Sequence, residues 1–233
     1  MYEHIPERLA RIRERIADAA GRAGRSPDTV RLIAVSKTHP IDAVRAAADA
    51  GQIDFGENKV QEALQKIAQS TDNRLKWHLI GHLQSNKARK AAGAAHAIHA
   101  IDGVDLLTRI DQAAAEAGRT VEVLIQVDLA LEETKFGAPV SEVAAIARAA
   151  AGCTAARLAG LMLLPPLTEN PEDARPWFAR LRALREQLLE TGVPAERLRE
   201  LSMGMSHDFE VAIEEGATMV RVGTAIFGER HYA

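Results

Sequence analysis

Cysteine is almost missing from this chain: Cys153 is the only one in 233 residues. No disulfide framework can form within the chain, which fits a reducing compartment. Aromatic residues are scarce as well, at 4%, and the two tryptophans, Trp77 and Trp177, read as core or interface residues rather than a base-stacking platform. A basic excess is lacking: 29 Lys and Arg against 32 Asp and Glu leave a formal charge of −3. Nothing there neutralises a phosphate backbone, so duplex nucleic acid is excluded as the main partner. No apolar run approaches the length of a membrane span. The opening "MYEHIPERLARIRERI" is charged and amphipathic, without the apolar stretch of a secretory signal. These absences predict a soluble cytoplasmic protein with no membrane partner.

What is present is 47% apolar residue content arranged in a regular rhythm. Ile5, Leu9, Ile12 and Ile16 recur at three- and four-residue steps and predict an amphipathic helix over roughly residues 4–24. Eight strand candidates follow: "RLIAVSK" (31–37), "IDFGEN" (53–58), "KWHLIG" (76–81), "AIHAID" (97–102), "EVLIQVD" (122–128), "LAGLMLLP" (158–165), "LRELSMG" (198–204) and "MVRVGTAIFG" (219–228). Helical stretches such as "SEVAAIARAAAG" lie between them, several closing with Gly. Continuous apolar strands alternating with helices mean a parallel sheet covered on both faces. The fold class is therefore α/β, a single (β/α)8 TIM barrel with an extra N-terminal helix, in one domain over residues 1–233. An open doubly wound sheet fits less well, because no G-x-G-x-x-G turn follows the first strand.

In such a barrel the site lies where strands end. Lys37, Glu57, Asn58, Gly81, His82 and Asp128 all follow or close strand candidates. Lys37 stands in an otherwise apolar run, and an ammonium loses a great deal on leaving water. It is either a solvated lysine at a strand end or an amine desolvated so that it can attack an aldehyde. "ELSMGMSHD" and "RVGTAIFGER", after the seventh and eighth candidates, are rich in Gly, Ser and Thr. Loops there form the recurrent phosphate site of the barrel fold. Ser206 either caps the helix that follows or binds a phosphate oxygen. An amine facing a phosphate cradle suits an aldehyde-bearing phosphate, either pyridoxal 5′-phosphate (PLP) or the substrate of a sugar-phosphate aldolase.

Arg221 shares the inward parity of Gly223 two residues on. It makes an internal salt bridge, to Glu57 or Asp128, or it donates to the ring nitrogen of a bound cofactor. His78 with His82, and His96 with His99, are spaced so that neither pair argues for a metal site. The strip "LQSNKARK" reads as a solvated helix face.

The motifs "AVSKTHP", "DFGENKVQEALQK", "WHLIGHLQSNK", "VLIQVDLALEETKFG", "GLMLLPP" and "LSMGMSHDFEVAIEEGATMVRVGTAIFGER" span nearly the whole chain. In them the sequence resembles the YggS/PROSC family of PLP homeostasis proteins. The resemblance implies a barrel like the N-terminal domain of alanine racemase, with PLP held as an aldimine. By motif position Lys37 would be the aldimine lysine, and Asn58 would lie beside the cofactor ring. Ser206, Gly223 and Thr224 would hold the phosphate, and Arg221 would face the pyridine nitrogen. His39 and the pair Leu163–Leu164 fall where the family varies.

A racemase needs two acid–base groups, one on each face of the reacting centre. In the racemases that the family resembles, the second is a tyrosine of another domain. Here the chain stops at Ala233, and its only tyrosines, Tyr2 and Tyr232, are near the termini. The expectation is a monomeric protein that holds PLP, takes part in its homeostasis and serves apo-PLP enzymes as recipients, without a reaction of its own. A weak amino-acid racemase and a cofactor-free Schiff-base aldolase are the alternatives.

Overall fold

The computed structural model of the protein describes residues 2–130 and 136–229. Residues 131–135 of "VLIQVDLALEETKFG", the end of the last motif and Tyr232 lie outside the described residues. All eight strand candidates contain strands: β1 (Arg31–Val35), β2 (Asp54–Glu57), β3 (Lys76–Leu79), β4 (Ala97–Ile101), β5 (Val121–Asp128), β7 (Ala156–Leu163), β8 (Glu200–Met205) and β9 (Met219–Val222). A two-residue β6 (Ala138–Pro139) adds to the outer side of β5. Every pairing is parallel, and β1 pairs with β9 as well as β2 while β4 pairs with β5. The eight long strands therefore close into a barrel.

One boundary differs in kind from the sequence reading. The run over 219–228 is a strand only as far as Val222, and Thr224–Phe227 forms the short helix α9. Gly223 breaks the strand with φ −116° and ψ −80°. Ile226 and Phe227 then donate to the Gly223 carbonyl instead of to a neighbouring strand.

The surrounding helices are α2 (Ile41–Asp49), α3 (Val60–Gln69), α4 (Ala88–Ala94), α5 (Val104–Glu116), α6 (Val140–Ala149), α7 (Arg175–Glu190) and α8 (Phe209–Glu214). The extra helix α1 (Ile5–Arg22) buries Ile5, Leu9, Ile12 and Ile16 and packs against α2, α8 and α9. Each of those four side chains contributes roughly 1.5–3 kcal/mol by leaving water. Among the described residues no helix is long and apolar enough to cross a membrane.

The barrel interior is only half apolar. Ile33, Leu124, Ala159, Met162 and Met219 form a small buried cluster there. Beside it a line of polar groups crosses the barrel. His78 Nε2 lies 3.0 Å from Asp54 Oδ1, His78 Nδ1 lies 2.9 Å from His99 Nε2, and His99 Nδ1 lies 2.9 Å from Ser202 Oγ. Arg221 Nη1 donates to the same Ser202 oxygen at 2.7 Å. Neither histidine pair considered from spacing meets. His78 meets His99 because β3 and β4 are neighbours, with His78 beside Ala97.

Burial holds the His99 imidazole well below its ordinary pKa, and His78, Arg221 and Arg31 act in the same direction. The unfolded chain therefore takes up this proton first as the pH falls. Stability from this group is present above the unfolded value near pH 6.5 and is lost as pH falls below it, by up to about 1.4 kcal/mol per pH unit. Chemical denaturation at about pH 7.5 and about pH 5.5 is expected to show this loss in the wild type and a smaller one in His99→Gln.

Candidate functional site

Strand β1 ends at Val35, and the chain turns at once: the His39 amide donates to the Ser36 carbonyl at 3.0 Å. Thr38 occupies the left-handed region at φ 67°, where a β-branched residue is strained. Its amide donates to Glu62 Oε1 at 2.5 Å. Behind the turn sits a buried ionic cluster. Lys66 Nζ donates to Glu57 Oε1 at 2.6 Å, to Glu62 Oε1 at 2.8 Å and to the Ser36 carbonyl at 2.7 Å. The Ser36 hydroxyl donates to the same Glu57 oxygen at 2.6 Å. Burial raises the Glu57 carboxyl above its ordinary pKa, although Lys66 and Ser36 pull the other way. Its second oxygen, Oε2, has no hydrogen-bond partner among the described residues. This cluster fixes the direction in which the chain leaves β1, and with it the place of Lys37.

Lys37 opens into a cavity of about 670 Å³ at the C-terminal mouth of the barrel, together with Asn58, Ser206, Arg221, Gly223 and Thr224. All six residues singled out in the sequence thus line one space, of the size that small-molecule and cofactor sites have. Asn58 is held by close packing: a Cβ on Gly81 would come within 2.5 Å of the Asn58 carbonyl oxygen.

Ser206 is not the cap of the next helix, which starts at Phe209 after Asp208. Its Oγ accepts from the Gly223 amide at 3.2 Å, tying the β8 loop to the β9 loop. The irregular end of β8 depends on Gly204, at φ 91°, where a Cβ would lie 2.6 Å from Ala212 Cβ. Asp208 Oδ1 accepts from the Met205 amide at 2.6 Å and holds the chain as it leaves the strand. Among the described residues the Thr224 amide donates to no protein acceptor. Two hydroxyls and the Thr224 amide on one cavity wall are donors of the kind that suit a phosphate.

Arg221 makes neither of the salt bridges considered for it. Among the described residues no carboxylate lies within ion-pair distance; Nη1 donates to Ser202 and Nη2 to the Leu163 carbonyl at 2.8 Å. Burial brings its pKa down to about 10, against the opposing charge of Asp208, so it stays a cation at neutral pH. The rim is apolar, with Phe136 stacked on His82 at 3.6 Å between ring centroids and Leu167 exposed.

Lys66 and the Phe136–His82 stack were missed in the sequence. The signal for Lys66 was there: on α3 it keeps helical spacing with Val60 and Ala63, which are buried.

A parallel barrel with a lysine amine, a serine-, glycine- and threonine-lined wall and a buried arginine in one cavity suits a phosphate-bearing aldehyde. Comparison with known proteins agrees. Residues 8–231 match the family described as "Alanine racemase, N-terminal domain", and the chain belongs to that family. It is 44% identical over 226 residues to the pyridoxal phosphate homeostasis protein of Aquifex aeolicus, covering 97% of this chain and 98% of that one. It is also 44% identical to the protein of that name from Escherichia coli K12, covering 98% of each. Among solved structures it resembles PipY of Synechococcus elongatus with PLP bound, at 42% identity and TM-score 0.85, over 96% of this chain and 100% of that one. Alanine racemase from Corynebacterium glutamicum shares the fold at 17% identity and TM-score 0.72.

Removing one member of a buried ion pair strands the other charge and costs roughly 3–5 kcal/mol. Lys66→Met is therefore expected to lose about that much stability in chemical denaturation, and Lys66→Met combined with Glu57→Met to lose less. Equal losses would show that the pair itself does not hold the turn.

Proposed function

We propose that this chain is a single PLP-binding unit that holds the cofactor covalently through Lys37 and acts in PLP homeostasis without a dedicated reaction. The observation that carries this reading is the Lys37 amine sharing one cavity with Ser206, Gly223, Thr224 and Arg221. When bound, PLP supplies an aldehyde that condenses with amines. Lys37 is the amine placed to attach to it, with release of water. Ser206, Thr224 and the Gly223 turn hold the phosphate, and Asn58 lies along the ring. Arg221 donates to the ring nitrogen. A guanidinium keeps its proton, so the ring remains a weak electron sink, which suits storage better than catalysis.

The same reading makes apo-PLP enzymes the recipients of the cofactor and the protein a cytoplasmic monomer. A lone cysteine, Cys153, agrees with a reducing compartment.

A weak amino-acid racemase is the second reading, because His39, His82 and His207 line the cavity and offer acid–base groups besides Lys37. The near-visible spectrum separates both PLP readings from a cofactor-free aldolase, and a racemisation assay separates the two from each other. The purified wild type, loaded with PLP, is expected to be yellow. Borohydride should lock the cofactor onto the peptide carrying Lys37, and Lys37→Ala should lose the wild-type band. A protein that takes up no PLP would overturn the reading in favour of a cofactor-free aldolase. Rapid racemisation of alanine or serine by the yellow protein would establish the racemase.

A further inference from the structure

The polar line through the barrel has ends of fixed character. Arg221 can only donate, and the Asp54 carboxylate, kept ionised by its hydrogen bond with His78 and by Arg31 and Lys76 against the effect of burial, can only accept. Ser202 is fully buried. Having accepted from Arg221, its hydroxyl hydrogen has one acceptor within reach among the described residues, His99 Nδ1 at 2.9 Å. His99 is then neutral with its hydrogen on Nε2, and it donates to His78 Nδ1. His78 in turn carries its hydrogen on Nε2 and donates to Asp54. Working inward from Asp54 gives the same tautomers. Any other arrangement sets two donors or two acceptors face to face inside the barrel, or strands the serine hydrogen.

Asp54 begins β2 at the barrel mouth opposite the cavity, where its side chain is 16% exposed, against 2% for His78. The chain of four hydrogen bonds thus connects the N-terminal mouth to the guanidinium that lines the site. Each donation makes the donating group a better acceptor at its other side. The polarisation that starts at the Asp54 carboxylate therefore reaches Ser202 Oγ, which accepts from Arg221. A buried cation without a carboxylate in contact is expensive, and this line supplies a remote counter-charge.

Resting on the reading that PLP is bound, we infer that Asp54, His78, His99 and Ser202 are positioning residues that act on the cofactor ring through Arg221, as a hydrogen-bonded chain of one fixed direction. They touch nothing that reacts. They set the orientation of Arg221 and how strongly its remaining N–H groups donate into the cavity.

The first test needs no cofactor. Nitrogen NMR of the full-length wild type, labelled in histidine, is expected to show His78 and His99 both neutral with the hydrogen on Nε2. A charged ring, or a hydrogen on Nδ1 in either, would overturn the proposal. The second test titrates PLP into wild type, Ser202→Ala, Ser202→Thr and Asp54→Asn, reading the visible band and the affinity. Hydrogen bonds to charged groups of this kind convert to about tenfold or more in affinity. Ser202→Ala is expected to weaken binding by about that factor and to shift the band, with Ser202→Thr restoring both. Asp54→Asn should shift the band in the same sense by less. An unchanged band and affinity in Ser202→Ala, with the wild type yellow, would sink the chain as a positioning device. A wild type that takes up no PLP would sink the binding reading instead, and the imidazole tautomers would still decide whether the chain exists.

Discussion

Strand β1 is paired on both sides, and the site is a consequence of that closure. Ala34 lies beside Phe55 of β2 and Val222 of β9. Residues just past these positions are therefore neighbours at the same end of the barrel, although Lys37 and Thr224 stand 187 positions apart in sequence. Lys37 comes next to Asn58 on one side and to Gly223–Thr224 on the other. The close fit at the seam is visible in Gly223, where a Cβ would lie 3.2 Å from the Val35 carbonyl oxygen. Strand closure brings these groups to one mouth; the cluster around Lys66 of α3 then sets the turn that carries Lys37, and the Ser206–Gly223 bond trims the cavity.

Closure also raises a difficulty. Eight strands leave an interior just wide enough for side chains, and here several of those side chains are polar or charged. The protein buries charged groups in two different ways. On the outer side of the β1–β2 wall, against α3, Lys66 and Glu57 are paired directly, with Ser36 and Glu62 completing the set. Across the middle, Arg221 has no such partner and is solvated by a serine, a carbonyl and the histidine line behind them. Both arrangements hold their members in one geometry, since each group has few alternative partners in a dry interior. The strain of Thr38 persists for the same reason: Glu62 holds its amide, and Lys66 holds Glu62.

Much of this was legible in the sequence because the signals were local. Eight apolar runs with glycine-ended helices between them gave the barrel, and the glycine- and serine-rich ends of the last two runs marked the cradle. Arg221 could be turned inward by its two-residue spacing from Gly223. What escaped was set by register or by contact across the barrel. The pairing of His78 with His99 depends on β3 sliding to put His78 beside Ala97, which no spacing within either strand reveals. Ser206 reads as a cap by position, yet bonds a residue 17 places away. The run over 219–228 looked like one strand because apolar residues continue through "TAIFG", and only the backbone at Gly223 divides it.

The arginine ties these observations together. A carboxylate facing a pyridine nitrogen favours the protonated ring and draws electrons from an attached amino acid, whereas a guanidinium cannot give its proton up. Burial lowers the Arg221 pKa to about 10, still well above neutral pH. The chain thus keeps a donor beside the proposed cofactor and sets behind it a serine and two histidines that end on the Asp54 carboxylate. On the proposed function, such a site would hold a reactive aldehyde through its phosphate, its ring and Lys37, and Arg221 would leave the ring a weak electron sink. In that reading the limit on the cofactor's chemistry would come from Arg221 inside the barrel, whichever group covers the mouth.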